Sequence, residues 1–327
     1  MLSGTTSPKL SRVPSATPSR WPPRSRPSHW LRRCSSPGGR GIRKDMGAVA
    51  VIGSATIDRV VQGGVSAYKR GGVVAYAGLT FAELGVETRV LTNVAAADRA
   101  MLAVLQQRGI AVYVGESAAT TCFVNYVDGD ARRQELLACA APIAAAQLGP
   151  VLAGVEHVHL GPLHPRDLAE DVLTAIDGVV SLDIQGHVRR IEGTQVYQGV
   201  AGGLYAALQC ADYVKTSNDE LELVLADCGL TLDQLMRDCS VAEWVVTEGS
   251  HGGWVASREG QRTKFASAPV GTVADPTGAG DVFFAAYLAH RLHRGAEVAA
   301  AAQHAAALAA RQVGGGFIDE ATLRLEG

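Results

Sequence analysis

Residues 275–281 read Asp275-Pro276-Thr277-Gly278-Ala279-Gly280-Asp281, three small residues directly ahead of an aspartate that opens an apolar run. This spacing suits phosphoryl transfer. With no Cβ at Gly278 or Gly280 a phosphate can approach the backbone, and the amides of Gly278, Ala279 and Gly280 at a helix N-terminus lack intrahelical partners. The helix dipole adds partial positive charge at the same place. Asp281 lies at the rim of that anion pocket, within reach of the proton of a hydroxyl attacking a phosphoryl group held there. Asp is also a common cap and Gly a common turn residue, so the string alone does not separate a site from an ordinary helix start. Two better known phosphate motifs are absent from the chain: there is no GxxxxGK[ST], and Gly278-Ala279-Gly280 has no third glycine three residues on.

The elements that must carry these residues follow from hydrophobic periodicity. Strand-like runs fall at 48–52, 88–92, 111–114, 157–160, 179–183, 213–215 and 244–247. Helix-like runs fall at 73–84 before Gly85, 98–107 before Gly109, 166–176, 218–225, 232–237, 281–294 and the alanine-rich 296–311. Alternation of the two predicts an α/β fold with a parallel sheet covered on both faces. Two stretches break the rhythm, 57–70 and 120–137, the second with an Asp128-Gly129 turn signal. They are expected to pair as extended chain in a small second sheet acting as a lid, which would exclude water from the site.

With 327 residues, 47% hydrophobic and 19% charged, the chain can bury a large core. No apolar run approaches the ~18–20 residues of a membrane helix, which argues against a membrane partner. The formal net charge of -2 hides an asymmetry: residues 1–45 carry ten Lys or Arg and one acid, leaving 20 basic against 31 acidic residues from Met46 onward. An acidic body argues against nucleic-acid binding. The Ser-, Pro- and Arg-rich residues 1–45 are expected to be a disordered extension outside the native fold, with Met46 as the natural start and 46–327 as one domain. Six cysteines without CxxC spacing read as free thiols in a reducing, cytoplasmic setting. The nine histidines form no metal pattern; of His157 and His159 on one strand, one is expected to be buried and hydrogen-bonded.

The pieces, in their order from about Val49 to about Gly316, resemble the ribokinase-like carbohydrate and nucleoside kinases, the phosphofructokinase B family. The resemblance implies a three-layer sandwich with a mostly parallel central sheet and a small β-sheet lid. It also implies that Asp281 is the catalytic base and that Gly278, Ala279 and Gly280 form the anion hole. Gly53-Ser54-Ala55-Thr56-Ile57-Asp58 is similar to the family's first strand end, with Asp58 binding substrate hydroxyls, and Gly71-Gly72 to the hinge between lid and body. Thr247-Glu248-Gly249-Ser250-His251-Gly252 resembles the TxGxxG turn bordering the nucleotide, so Thr247, Gly249, Gly252 and Thr277 are implied on the ATP side. Glu220 occupies the glutamate of the NxxE motif and is implied to hold Mg2+ through water, although Ser217 stands at the asparagine.

A second departure is Tyr76, where most sugar kinases of the family have an asparagine. Residues 120–126, Arg133-Gln134 and 183–189 are similar to an inositol-kinase-like subgroup, and Gln134, Asp183, Gln185 and Arg189 offer donors and acceptors suited to a polyol. His304 falls roughly where relatives place a residue beside the adenine. The resemblance thus implies an ATP- and Mg2+-dependent kinase for a hydroxyl of a small sugar or polyol, with a homodimer through the lid as the implied assembly. A nucleoside kinase of the same family, or a catalytically silent sugar-binding regulator, remain as alternatives.

Overall fold

The apolar run Val49–Gly53 forms β1 and is buried along its whole length, because it lies inside a sheet with a parallel neighbour on either side. The structure, a computed structural model, describes residues 46–128 and 131–325; the disorder expected for 1–45 and the turn residue Gly129 lie outside them. The further strands are β2 Thr56–Gln62, β3 Val65–Gly71, β4 Thr88–Ala95, β5 Ala111–Ser117, β6 Thr121–Asp128, β7 Ala131–Ala138, β8 His157–Gly161, β9 Val179–Asp183, β10 Arg189–Glu192, β11 Gln195–Gln198, β12 Tyr213–Ser217, β13 Glu243–Thr247, β14 Gly253–Ser257 and β15 Arg262–Phe265.

Nine of these strands form the main sheet in the order β15-β14-β13-β12-β9-β8-β1-β4-β5. Its pairings are parallel except for β13–β14 and β14–β15 at one edge, which are antiparallel. Helices Val73–Glu83, Ala279–Leu288 and Val298–Val313 pack on one face with Val49 and Val51. Leu148–Leu152, Leu204–Cys210, Asn218–Cys228 and Leu232–Cys239 pack on the other with Ala50 and Ile52. Alanines 301, 302, 305 and 306 are buried, so their small side chains let the last long helix lie close on its neighbours. Among the described residues no helix is long and apolar enough to cross a membrane.

The second sheet has the order β10-β11-β7-β6-β2-β3. The segments 57–70 and 120–137 supply four of its strands as expected. β10 and β11 were not expected, since Arg189–Glu192 and Gln195–Gln198 are short and mostly polar, without an apolar alternation to mark them.

Three helix boundaries differ from the sequence reading. The run 166–176 yields only Glu170–Thr174, because Leu168 bridges to Ile143 as extended chain and the Asp167 carboxylate takes up backbone amides of the preceding loop. The run 98–107 starts as a 3-10 helix, Ala96–Leu102, before the α-helix Ala103–Gln107. The run 281–294 starts two residues earlier, at Ala279, and ends in a π-helical turn, Ala289–His293.

Both His157 and His159 are buried, not one. Two residues apart on β8 they share a face, and Ser181 on β9 serves both: its Oγ is 2.8 Å from His157 Nε2 and 2.9 Å from His159 Nδ1. His157 Nδ1 meets His293 Nε2 at 2.9 Å, and the other His293 nitrogen faces the Met46 carbonyl at 3.0 Å. Burial depresses both β8 imidazoles, His159 to about 4, so they are neutral core residues.

Candidate active site

The C-terminal ends of β1, β9, β12 and β13 open on one side of the main sheet, the edge where parallel α/β sheets collect their ligand-binding residues. Ser54, Asp183, Lys215 to Ser217, and Thr247 all lie there. β12 and β9 pair in register with Lys215 opposite Asp183, and β12 and β13 with Ser217 opposite Thr247. Residues distant in sequence are thereby set side by side by strand pairing.

The helix Ala279–Leu288 points its N-terminus at this edge. Its cap residue is Gly278, at φ 75°, a left-handed conformation that a residue with a Cβ adopts only at a cost. A Cβ on Gly278 would also fall 2.2 Å from a carbon of the Tyr76 ring, and one on Gly280 would fall 2.9 Å from Lys215 Nζ. The glycine turn is therefore pressed between an aromatic ring and a buried ammonium. Ahead of it Asp275 accepts a hydrogen bond from the Thr277 amide at 2.9 Å and an ion pair from Lys69 of β3 at 2.9 Å.

Asp281 follows in the first helical turn and is buried. Gln185 donates from Nε2 to its Oδ1 at 3.2 Å, and Arg189 donates to Gln185 Oε1 at 3.2 Å and to the Leu163 carbonyl at 2.9 Å. Burial raises the Asp281 carboxyl to about 7, with the neighbouring Asp183 adding to the rise and Lys215, Arg189 and Gln185 opposing it. A carboxyl poised near neutrality suits a general base.

The acceptor side continues with Asp58 on β2. Its carboxyl is pushed up to about 6 by burial, against the pull of Arg189, and its Oδ1 is buried with no partner among the described residues. An orphaned buried acceptor is a docking point for a hydroxyl proton. Gly71 abuts Asp58, since a Cβ there would lie 2.3 Å from Oδ2, and Gly72 sits at φ 88° where a Cβ would strike the Ser54 carbonyl oxygen at 2.1 Å. The double glycine is thus a close-approach point for β1, β2 and the helix Val73–Glu83. Gln134 lies on β7 of the second sheet, its amide donating to Asn125 Oδ1 at 2.8 Å.

Toward β13 an open cleft of about 490 Å³ is lined by Ser217, Asn218, Asp219, Thr247, Glu248, Gly249 and His251. Ser217 and Glu220 form a reciprocal capping box: the Ser217 amide donates to Glu220 Oε2 at 2.7 Å and the Glu220 amide to Ser217 Oγ at 3.2 Å. Serine at this position therefore preserves the helix cap. The His304 ring lies 3.7 Å from that of His290, in the turn after the helix Ala279–Leu288. That places it well away from the glycine turn.

The sequence reading missed Lys215, which donates to Asp183 Oδ2 at 2.9 Å and is buried. Burial works against its charge, but Asp183, Glu220 and Asp281 outweigh it and hold the amine protonated. The available signal was a lone lysine inside the apolar strand run Tyr213-Val214-Lys215, two residues before a helix cap; an unpaired lysine is hardly ever buried there. Glu220 is a single carboxylate near this cation, and no cluster of three or more ligating side chains exists among the described residues. That donor set fits Mg2+, which characteristically takes one or two carboxylates and completes its shell with phosphate oxygens and water.

A buried carboxylate at a helix N-terminus, a glycine turn and a buried lysine are parts that suit a small-molecule phosphotransferase site. A profile of the pfkB family carbohydrate kinases matches residues 47–320, and the chain belongs to that family. Among solved structures it is similar to a pyrophosphate-dependent kinase in the ribokinase family (24% identity, TM-score 0.72, covering 81% of this chain and 95% of that one). It is also similar to the Thermotoga maritima ribokinase (20%, 0.66, covering 82% and 93%) and to a Burkholderia thailandensis nucleoside kinase with inosine (18%, 0.67, covering 82% and 91%). A search of curated proteins found no match. The chain is accordingly a carbohydrate kinase, a phosphotransferase of ribokinase-like fold.

Proposed function

We propose that the protein transfers the terminal phosphoryl group of ATP to a hydroxyl of a small cyclic polyol or sugar, with Asp281 as base. The observation that carries this reading is the meeting of Asp281, Gly280 and the Lys215–Asp183 pair at one helix N-terminus. The acceptor hydroxyl gives its proton to Asp281 while its oxygen attacks the terminal phosphorus, and the bond from phosphorus to the leaving phosphate oxygen breaks. Charge building on the transferred group faces the Gly280 amide and the Lys215 ammonium, whereas the Ala279 amide, expected to be free, donates to the Pro276 carbonyl at 3.3 Å. Mg2+, held near Glu220, would neutralise donor phosphate charge.

On the acceptor side, Asp58 and Asp281 accept, and Gln185 and Arg189 donate, a set matched to a ligand made of hydroxyls. Tyr76 replaces a small polar residue by a ring against Gly278, which narrows the space beside the base and disfavours an acceptor with a bulky substituent such as a nucleobase. One relative is a nucleoside kinase, and that class remains an arm of the test.

A donor with a base is favoured because the cleft beside Thr247 and Gly249 falls in the ~300–1,000 Å³ range of ligand pockets, more room than a bare diphosphate fills. Its lining has no apolar side chain, and one relative is pyrophosphate-dependent, so pyrophosphate is the competing donor. The test is phosphorylated-product formation across inositols, hexoses, pentoses and nucleosides, each with ATP or pyrophosphate. Phosphorylation of a polyol or sugar from ATP is expected; turnover confined to nucleosides, or to pyrophosphate, would overturn the corresponding half of the reading.

A further inference from the structure

Asp167 takes no part in the chemistry above, yet it joins the two halves of the acceptor site. The side chain is buried in the loop after β8, and its two oxygens face different structures. Oδ1 accepts the Ser54 hydroxyl at 2.6 Å, at the end of β1. Oδ2 accepts the amides of Leu163 and, at 3.4 Å, His164. His164 is fully buried beside it; its Nδ1 accepts the Arg166 amide at 3.2 Å, and its Nε2 lies 2.8 Å from Asp167 Oδ1 without hydrogen-bond geometry.

Each end of this hub leads to the acceptor pocket. On one side Ser54 is the residue whose carbonyl oxygen the hinge glycine Gly72 presses on, and Gly71 beside it backs Asp58. On the other, Leu163 presents the carbonyl that holds Arg189, which holds Gln185, which holds Asp281. The path from Asp167 to the base therefore runs Leu163, Arg189, Gln185, Asp281, each step a hydrogen bond between the groups named. A branch from Gln185 through Asp183 reaches Lys215 on β12, but among the described residues no side chain lining the donor cleft hydrogen-bonds to these groups.

We propose that Asp167 is a positioning residue for the acceptor half of the site, fixing Arg189 and Gln185 against Asp281 on one side and the Ser54–Gly72 hinge against Asp58 on the other. The proposal rests on the phosphotransfer reading. Asparagine at this position would turn an amide donor toward backbone amides or toward Ser54 and His164, so part of the hub must break.

The test is steady-state kinetics of Asp167→Asn with acceptor and donor varied separately. The expected result is a rise of about tenfold or more in acceptor KM together with a lower kcat, while donor KM stays within about twofold. Ser54→Ala cuts one limb only and should shift acceptor KM in the same direction by less. It also decides the matter if Asp167→Asn is too unstable to assay. Because one limb of Asp167 acts through Arg189, the double variant Asp167→Asn/Arg189→Met should lose clearly less than the sum of the two single losses, what remains beyond Arg189→Met being the Ser54 limb. Equal rises in both KM values, or additive losses in the double variant, would overturn the proposal while leaving the kinase reading intact. Absence of phosphotransfer by the wild-type protein to every acceptor would remove the reading itself, and this inference with it.

Discussion

The ring of Tyr76 occupies the space that a side chain on Gly278 would need, with three of its carbons within 2.4 Å of the position of such a Cβ. The helix that follows the double glycine and the helix that carries Asp281 are thus keyed together at the glycine turn. Gly278→Ala must meet both this clash and the left-handed φ of 75°. A shifted turn is expected, with turnover down at least tenfold and a stability loss of at least ~1 kcal/mol from the backbone alone. Thermal unfolding and kcat measured together check it.

Tyr76 also bears on the choice of acceptor. Tyr76→Asn opens the space beside Asp281 and Asp58, and the ratio of kcat/KM for a polyol over that for a nucleoside is expected to fall by about tenfold or more. Competition between the two acceptors, read by product ratio, measures this. An unchanged ratio would separate Tyr76 from specificity.

The buried Lys215–Asp183 pair makes an asymmetric prediction. Lys215→Met leaves Asp183 buried without its cation and is expected to cost about 3–5 kcal/mol, whereas Lys215→Met/Asp183→Asn recovers much of that stability. Activity is expected to stay low in both variants, because the cation beside Gly280 is gone. Denaturant midpoints for the pair and the single variant, set beside kcat, distinguish stability from chemistry.

Asp281 gives a pH signature. A base raised to about 7 is protonated below that pH, so kcat/KM is expected to climb with pH toward about 7 and then level, with Asp58 steepening the fall below about pH 6. For stability the sign is opposite. A carboxyl whose folded value lies above its unfolded value favours the folded state while protonated, and that contribution disappears as pH rises through about 7. Asp281→Asn should therefore exceed the wild type in Tm at pH 8, with the gap closing toward pH 4.

How much of this was legible in the sequence depended on whether a feature is local. The glycine turn and Asp281 share one short segment and could be read directly, whereas the Ser217–Glu220 capping box, although it spans only four residues, was not read. Lys215 and Asp167 gain their meaning only from strands and loops brought together by folding: Lys215 from the β12–β9 register, Asp167 from Ser54, 113 residues away. The same long-range contact explains why 166–176 is not one helix, since local apolar periodicity carries no notice of a carboxylate drawn to a neighbouring strand end. β10 and β11 escaped because they are short and polar, and Arg189 could be named as a donor without its placement on the second sheet being foreseen. The contact of His304 with His290 was not foreseen, because position along a helix does not reveal which part of its partner it meets.

The most direct measurement is 31P NMR of product formation by the wild type and Asp281→Asn, with ATP, Mg2+ and an equimolar mixture of cyclic polyols and sugars. A phosphomonoester that accumulates with the wild type and forms about 10² to 10⁴ times more slowly with the variant is the predicted result. Equal rates in the two proteins would contradict the account.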